Sequence, residues 1–246
     1  MMAAAPAGQL PPLLLLASHG SRDPAAQRAV LALVAAVTRA LATSSPATTA
    51  LAGFIDVQQP DVPHSLAAAE ADRAAVIVPL LISAGYHVRV DLADAVAGAR
   101  PRPVAVTAAL GPDSRLTGIL AERLAQSGLG AGDRVILAAA GSSDANAVAD
   151  CRRAGEELAR LLNRPVTVAF IAAAQPSLPH AVAATRTEFP GARVVVASYL
   201  LAHGTFAALA RGAGADIVTT TLLAEGEEPP AALVDVVLDR YLGAVG

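Results

Sequence analysis

Short runs of leucine and β-branched residues alternate along this chain with longer alanine-rich segments of helical character. The runs Leu13–Ser18, Thr48–Asp56, Ala75–Leu81 and Val104–Thr107 are followed by Val135–Ala140, Val166–Ala172, Val194–Ser198 and Ile217–Thr220. Most are apolar throughout rather than alternating, the pattern of parallel strands covered on both faces. Between them lie segments of ten residues or more, among them Pro24–Leu41, Arg115–Gln126, Ala145–Leu162 and Pro230–Leu242. A β-α-β-α order of this kind predicts an α/β fold with parallel sheets, and ligands in such folds bind at the carboxyl ends of the strands.

The pattern also repeats. Phe54-Ile55-Asp56-Val57-Gln58-Gln59-Pro60 returns as Phe170-Ile171-Ala172-Ala173-Ala174-Gln175-Pro176, 116 positions later. Ser18-His19-Gly20-Ser21-Arg22-Asp23 shares its context with Ala139-Ala140-Gly141-Ser142-Ser143-Asp144 at an offset of 121, and Ser83-Ala84-Gly85-Tyr86-His87 with Ala202-His203-Gly204-Thr205-Phe206 at 119. A period of nearly half the chain predicts two similarly folded lobes from an internal duplication, each a small parallel sheet flanked by helices, and not a solenoid of short repeats. Gly111-Pro112 breaks the pattern, so the expected halves are residues 1–110 and 111–246.

Composition narrows the chemistry. Hydrophobic residues make up 54% of the 246 and charged residues 16%, ample for a buried core and wrong for a disordered chain. The formal net charge is −3, and only seven residues are aromatic, none of them tryptophan. Neither a basic field nor a stacking platform for nucleic acid is therefore expected. All 18 basic residues are arginine, and without lysine there is no Walker A loop and no Schiff-base site. Cys151 stands alone, which excludes an internal disulfide or a multi-cysteine metal site and fits a reducing compartment. The apolar runs Leu13–Ala17 and Ala29–Val37 are too short for a signal core or a bilayer span, so a soluble cytoplasmic protein without membrane partners is expected.

The repeat acts as an internal control. A residue shared by both halves is explained by the fold; a polar residue present in one half invites a functional reading. His19, Asp56 and His87 are replaced by Ala140, Ala172 and Phe206, and all three sit at or just beyond a predicted strand end. Two imidazoles and a carboxylate suit a first-row divalent cation with open coordination positions. By the same logic His64 and His180, both in Gln-Pro-x-x-Pro-His, are assigned to a helix start or to packing, and Asp23 before Pro24 to an N-cap. Gly20-Ser21-Arg22 and Gly141-Ser142-Ser143 should each expose amides for an anion. Gly85 and Gly204 are expected to share a tight turn.

His19-Gly20-Ser21-Arg22-Asp23-Pro24, Phe54-Ile55-Asp56 and the run Pro79 to Asp91 containing Gly85-Tyr86-His87 resemble the sirohydrochlorin chelatases, small ATP-independent class II enzymes of the CbiX and SirB type. The resemblance covers nearly the whole chain. It implies a chelatase-like fold with a cleft between the lobes, and insertion of Fe²⁺ ahead of Co²⁺ into sirohydrochlorin on the routes to sirohaem or cobalamin. It also implies His19 and His87 as catalytic residues and His19, Asp56 and His87 as metal ligands. The family has glutamate where Asp56 stands, so Asp56 reaches less far. The metal is substrate, and no organic cofactor is implied. Sirohydrochlorin is an octacarboxylate, and Ser21, Arg22, Arg89 and Ser142 are the candidates to hold it, with Arg115 behind them. Oligomeric state is not written in the sequence, which is compatible with a monomer. Two rivals stand beside this reading. A non-catalytic tetrapyrrole or metal carrier would share the fold, whereas a histidine-phosphatase type would need an arginine where Ser18 stands.

Overall fold

The structure, a computed structural model, describes residues 10–70, 73–83, 85–99 and 101–246; the side chains of residues 86–89 are also outside the described set. In the first part of the chain, β1 (Leu13–Ser18), α1 (Pro24–Ser44), β2 (Ala50–Phe54), α2 (Val62–Ala67), β3 (Ala75–Pro79), α3 (Tyr86–Gly98) and β4 (Val104–Val106) follow in order. α4 (Ser114–Gln126), β5 (Arg134–Ala139), α5 (Ala145–Leu162), β6 (Val166–Phe170), α6 (Leu178–Glu188), β7 (Val194–Tyr199), α7 (Thr205–Arg211), β8 (Ile217–Val218) and α8 (Ala231–Val245) complete the chain. The strands form two parallel four-stranded sheets, ordered β2-β1-β3-β4 and β6-β5-β7-β8.

Strand register makes the duplication explicit. Ser18 pairs with Phe54 in the first sheet and Ala139 with Phe170 in the second, which reproduces the offsets of 121 and 116 residue for residue. Ala17 opposite Pro79 and Ala138 opposite Ser198 give the offset of 119. β1 is buried along its whole length, as its unbroken apolar run requires: Leu13 and Leu15 pack with Val62, Leu66, Leu92 and Ala95 of α2 and α3, while Leu14 and Leu16 are equally inaccessible on the other face.

α1 begins where the sequence says it should. Asp23 caps it by accepting from the Ala25 amide at 2.8 Å, with Pro24 in the first turn; Asp144 does the same for α5 through the Asn146 amide at 2.9 Å. Among the described residues α1 is the one helix long and apolar enough to cross a bilayer. Its stripe of Ala26, Ala29, Leu33, Val37 and Leu41 is instead buried within the fold, with Arg28 and Arg39 on the exposed side.

The chain divides into two compact units, 1–110 with 233–246, and 111–232. Residues 233–246, which the half-by-half reading places in the second lobe, therefore belong with the first. The polar contacts of α8 hold it there: Tyr241 Oη donates to the Pro12 carbonyl at 2.7 Å, and the Arg240 guanidinium donates to the carbonyls of Ala109 and Leu110. Leu233, Val236 and Val237 of the same helix are fully buried. α4, the corresponding helix after β4, packs on α5 and β7 of the second unit. The last helix of each repeat thus falls in the same compact unit as the other repeat's sheet.

In the second unit an ion pair closes the entry to β5. Arg193 donates through Nε and Nη2 to the two Asp133 carboxylate oxygens at 3.1 and 2.6 Å, and the Gly130 amide adds a third bond at 2.6 Å. The fork from Arg193, with the Gly130 amide behind it, holds the Asp133 carboxyl below the usual carboxylate range. A carboxyl whose folded pKa lies below its unfolded value of 3.8 stabilises the fold above that value and loses the contribution as pH falls through the folded one. The thermal midpoint should therefore drop between pH 5 and pH 3, and Asp133→Asn should flatten that drop; an equally steep fall in the variant would remove Asp133 from the acid response.

Candidate functional site

The carboxyl edge of the first sheet carries the candidate residues. β1 lies between β2 and β3, so the chain leaving β1 is flanked by the loops after both neighbours, the position where open α/β sheets bind ligands. The hydrogen-bond ladder continues past the strands: Ile55 N donates to Ser18 O at 2.9 Å and Asp56 N to His19 O at 3.0 Å. One backbone bond therefore joins the peptide units of His19 and Asp56. Both residues are exposed.

Their closeness depends on Gly20. It adopts φ +91°, and a Cβ there would stand 2.4 Å from the Asp56 carbonyl oxygen. Only glycine fits that approach without strain. Gly141 repeats the arrangement at φ +91° against the Ala172 carbonyl, so the turn belongs to the fold and the side chains flanking it do not. Val57, next along, has φ 44°, uncommon for a β-branched residue, and Ala173 matches it with φ 56°. The Asp56 carboxylate accepts from the Val57 amide through Oδ1 at 2.7 Å. Its Oδ2 has no hydrogen-bond partner among the described residues.

After His19 come Ser21 and the exposed Arg22. The expectation that the Ser21 amide awaits an anion is corrected here. Ser21 N donates to Gln58 Oε1 at 2.8 Å, the Ser21 hydroxyl accepts from Asp23 N at 3.0 Å, and Ser21 O accepts from Gln27 Nε2 at 2.7 Å. Ser142 accepts from Asp144 N through its hydroxyl in the same way, but Ala174 and Val148 stand where the two glutamines would be, so its peptide has neither clamp. The glutamines were not singled out from the sequence, although the half-to-half comparison that picked out His19 marks them too.

His87 is the second residue of α3, which begins after Gly85; Phe206 is the second residue of α7, after Gly204, and is 42% exposed. The side chains of His87 and Arg89 lie outside the described residues. Among the described residues no group of three or more His, Cys, Asp or Glu side chains gathers as a metal site. The structure thus brings His19 and Asp56 together. Gly85 and Gly204 do not share one conformation, with φ −69° and +140° respectively.

The other polar residues make local contacts. Asp61 caps α2 by accepting from His64 N at 2.8 Å and contacts His64 Nδ1 at 2.7 Å. Those bonds, the backbone one foremost, hold the Asp61 carboxyl below its usual range. His64 and His180 are both third in their helices and exposed, which is the helix-start role without packing. Arg115 forks onto Asp113, with Nε and Nη2 each at 2.9 Å from a carboxylate oxygen. His203 lies 3.5 Å from Arg211 Nη1. A cavity of about 630 Å³ between α2 and α3, lined by Leu66, Leu92, Asp91 and Arg102, touches neither His19 nor Asp56. Concavity alone does not find this site, because the strand-end position is open to solvent.

Comparisons with known proteins bear on the fold and the family. No curated protein matches the sequence. SirB from Bacillus subtilis with Fe³⁺ superposes with a TM-score of 0.76 at 18% identity, over 95% of this chain and 97% of that one. SirB from Bacillus subtilis subspecies spizizenii in complex with cobalt gives 0.71 at 17% identity, over 96% and 95%. CbiX, described as the terminal enzyme for biosynthesis of siroheme in denitrifying bacteria, gives 0.64 at 20%, over 92% and 98%. These likenesses establish a chelatase fold. The sequence model of the CbiX family matches twice, over residues 13–127 and 134–244, one match per repeat and each ending within or just beyond that repeat's last helix; the chain belongs to the CbiX family.

Proposed function

We propose that this chain inserts a divalent metal, Fe²⁺ ahead of Co²⁺, into sirohydrochlorin without ATP, at the carboxyl edge of its first sheet. The observation that carries the reading is one-sidedness. The two repeats share register, the turn at Gly20 and Gly141 and the caps at Asp23 and Asp144, yet an imidazole and a carboxylate joined by one backbone bond occur only in the first. Family membership supplies the substrate class.

Insertion removes two pyrrole protons and strips water from the cation. A neutral imidazole is both a ligand for a first-row metal and, with a reference pKa of about 6.5, a proton acceptor near neutrality. His19 takes one of these roles and His87 the other. Asp56 Oδ2 offsets charge on the partly dehydrated cation. Arg22 and Arg89 meet carboxylates of the macrocycle, since charge-assisted bonds of this kind are each worth about 1.5–3 kcal/mol away from water. Ser142, with its peptide unclamped, offers a further donor on the second unit's turn, while Ser21 keeps only its hydroxyl for that purpose. A cytoplasmic location is part of the proposal, in keeping with a single buried cysteine.

The test is the rate of metal uptake by sirohydrochlorin, followed by its absorption spectrum, with Fe²⁺, Co²⁺ and Ni²⁺ in parallel. Acceleration over the protein-free control is expected, fastest with Fe²⁺. Tight tetrapyrrole binding with no acceleration would instead make the protein a carrier.

A further inference from the structure

We infer that Gln58 and Gln27 are positioning residues that hold His19 by gripping the backbone of Ser21, one at its amide and the other at its carbonyl. For its activity arm this inference rests on the chelatase reading. Gln58 Oε1 accepts from Ser21 N at 2.8 Å, and Gln27 Nε2 donates to Ser21 O at 2.7 Å. Gln58 reaches across from the Asp56 loop, 37 residues along the chain, and Gln27 from the first turn of α1. The two amides thus tie three segments together at one residue, through the peptide groups on either side of its Cα, two residues beyond the imidazole.

The second unit shows that the turn does not need them. Gly141 has the same φ of +91°, Asp144 N still donates to the Ser142 hydroxyl, and Ala172 N still donates to Ala140 O at 3.0 Å. Yet Val148 and Ala174 stand at the clamp positions. Helix register confirms the match, since Gln27 N donates to Asp23 O and Val148 N to Asp144 O. Fold formation therefore does not explain two buried-edge amides that occur only beside the histidine. Positioning does. Gly20 is a permissive pivot adjacent to His19, and a pivot left free would let the imidazole swing relative to Asp56. Misplacement of a reacting group by about 1 Å is enough to lower a rate by about 10²-fold.

The full-length protein with Gln58→Ala and Gln27→Val gives the first turn the second turn's residues at these sites. Backbone order parameters from ¹⁵N relaxation should then fall at Gly20 and Ser21 from about 0.85 towards 0.6, with Gly141 and Ser142 unmoved. kcat for sirohydrochlorin metallation should fall by about 10-fold or more while KM for the tetrapyrrole stays within about twofold, the signature of lost positioning rather than lost binding. Gln58→Glu, which keeps the acceptor oxygen, should recover kcat to within about threefold. If the double variant does not fold, Gln27→Val alone carries the same comparison from a half-buried position in the first turn of α1. Unchanged order parameters at Gly20 and Ser21 overturn the inference whatever the activity, and so does an undiminished kcat. A wild-type protein that metallates nothing ends the chelatase reading and leaves the relaxation measurement to decide the clamp.

Discussion

His19→Ala should reduce sirohydrochlorin metallation by about 10²–10³-fold, within the range a positioned proton acceptor contributes, while thermal unfolding stays close to wild type. The two halves of that expectation have separate grounds. The imidazole is the one side chain of its turn that can both bind a first-row cation and accept a pyrrole proton near neutral pH. It is also exposed and is replaced by Ala140 in a repeat that builds the same turn, so its loss should change stability by no more than about 0.5 kcal/mol. Unchanged metallation in a folded His19→Ala protein would remove the site from the first turn.

The second large effect is expected at Gly20. An alanine there combines φ +91° with a Cβ 2.4 Å from the Asp56 carbonyl oxygen, and neither the β2 loop nor β1 can retreat without breaking the bond from Asp56 N to His19 O. Strain of this kind costs about 1–3 kcal/mol. Gly141→Ala meets the Ala172 oxygen still more closely and should destabilise at least as much. The pair separates fold from function. At a temperature where both variants are folded, Gly20→Ala should lose most metallation activity and Gly141→Ala should keep it. Equal loss in the two would mean that activity follows stability and not the spacing of His19 and Asp56.

Much of the fold was legible in the sequence, because parallel strands buried on both faces are unbroken apolar runs and few other elements are. β1 and α5 match the expected bounds, and Asp23 and Asp144 cap as their place before a helical run implies. The strand expected over Thr48–Asp56 is shorter, Ala50–Phe54, since Val57 at φ 44° turns the chain and formal pairing stops at Phe54, although the hydrogen bonds run on to Asp56. The placement of α8 was not legible. An apolar stripe specifies that a helix is covered and says nothing about which of two similar sheets covers it. The fate of the Ser21 amide was hidden for a related reason: its acceptor comes from a side chain 37 residues away, and a local reading of Gly-Ser-Arg cannot see it. His19 and Asp56 emerged correctly as neighbours because strand-end position follows from the strand pattern and their absence from the second repeat is visible in the letters alone.

The most direct test of the account is to locate the cation. Crystals soaked in Co²⁺ and recorded at the cobalt absorption edge should show an anomalous peak at about 2.1 Å from an imidazole nitrogen of His19, with the Asp56 carboxylate on the same side. A peak confined to the second unit, or to any position remote from His19, would contradict it.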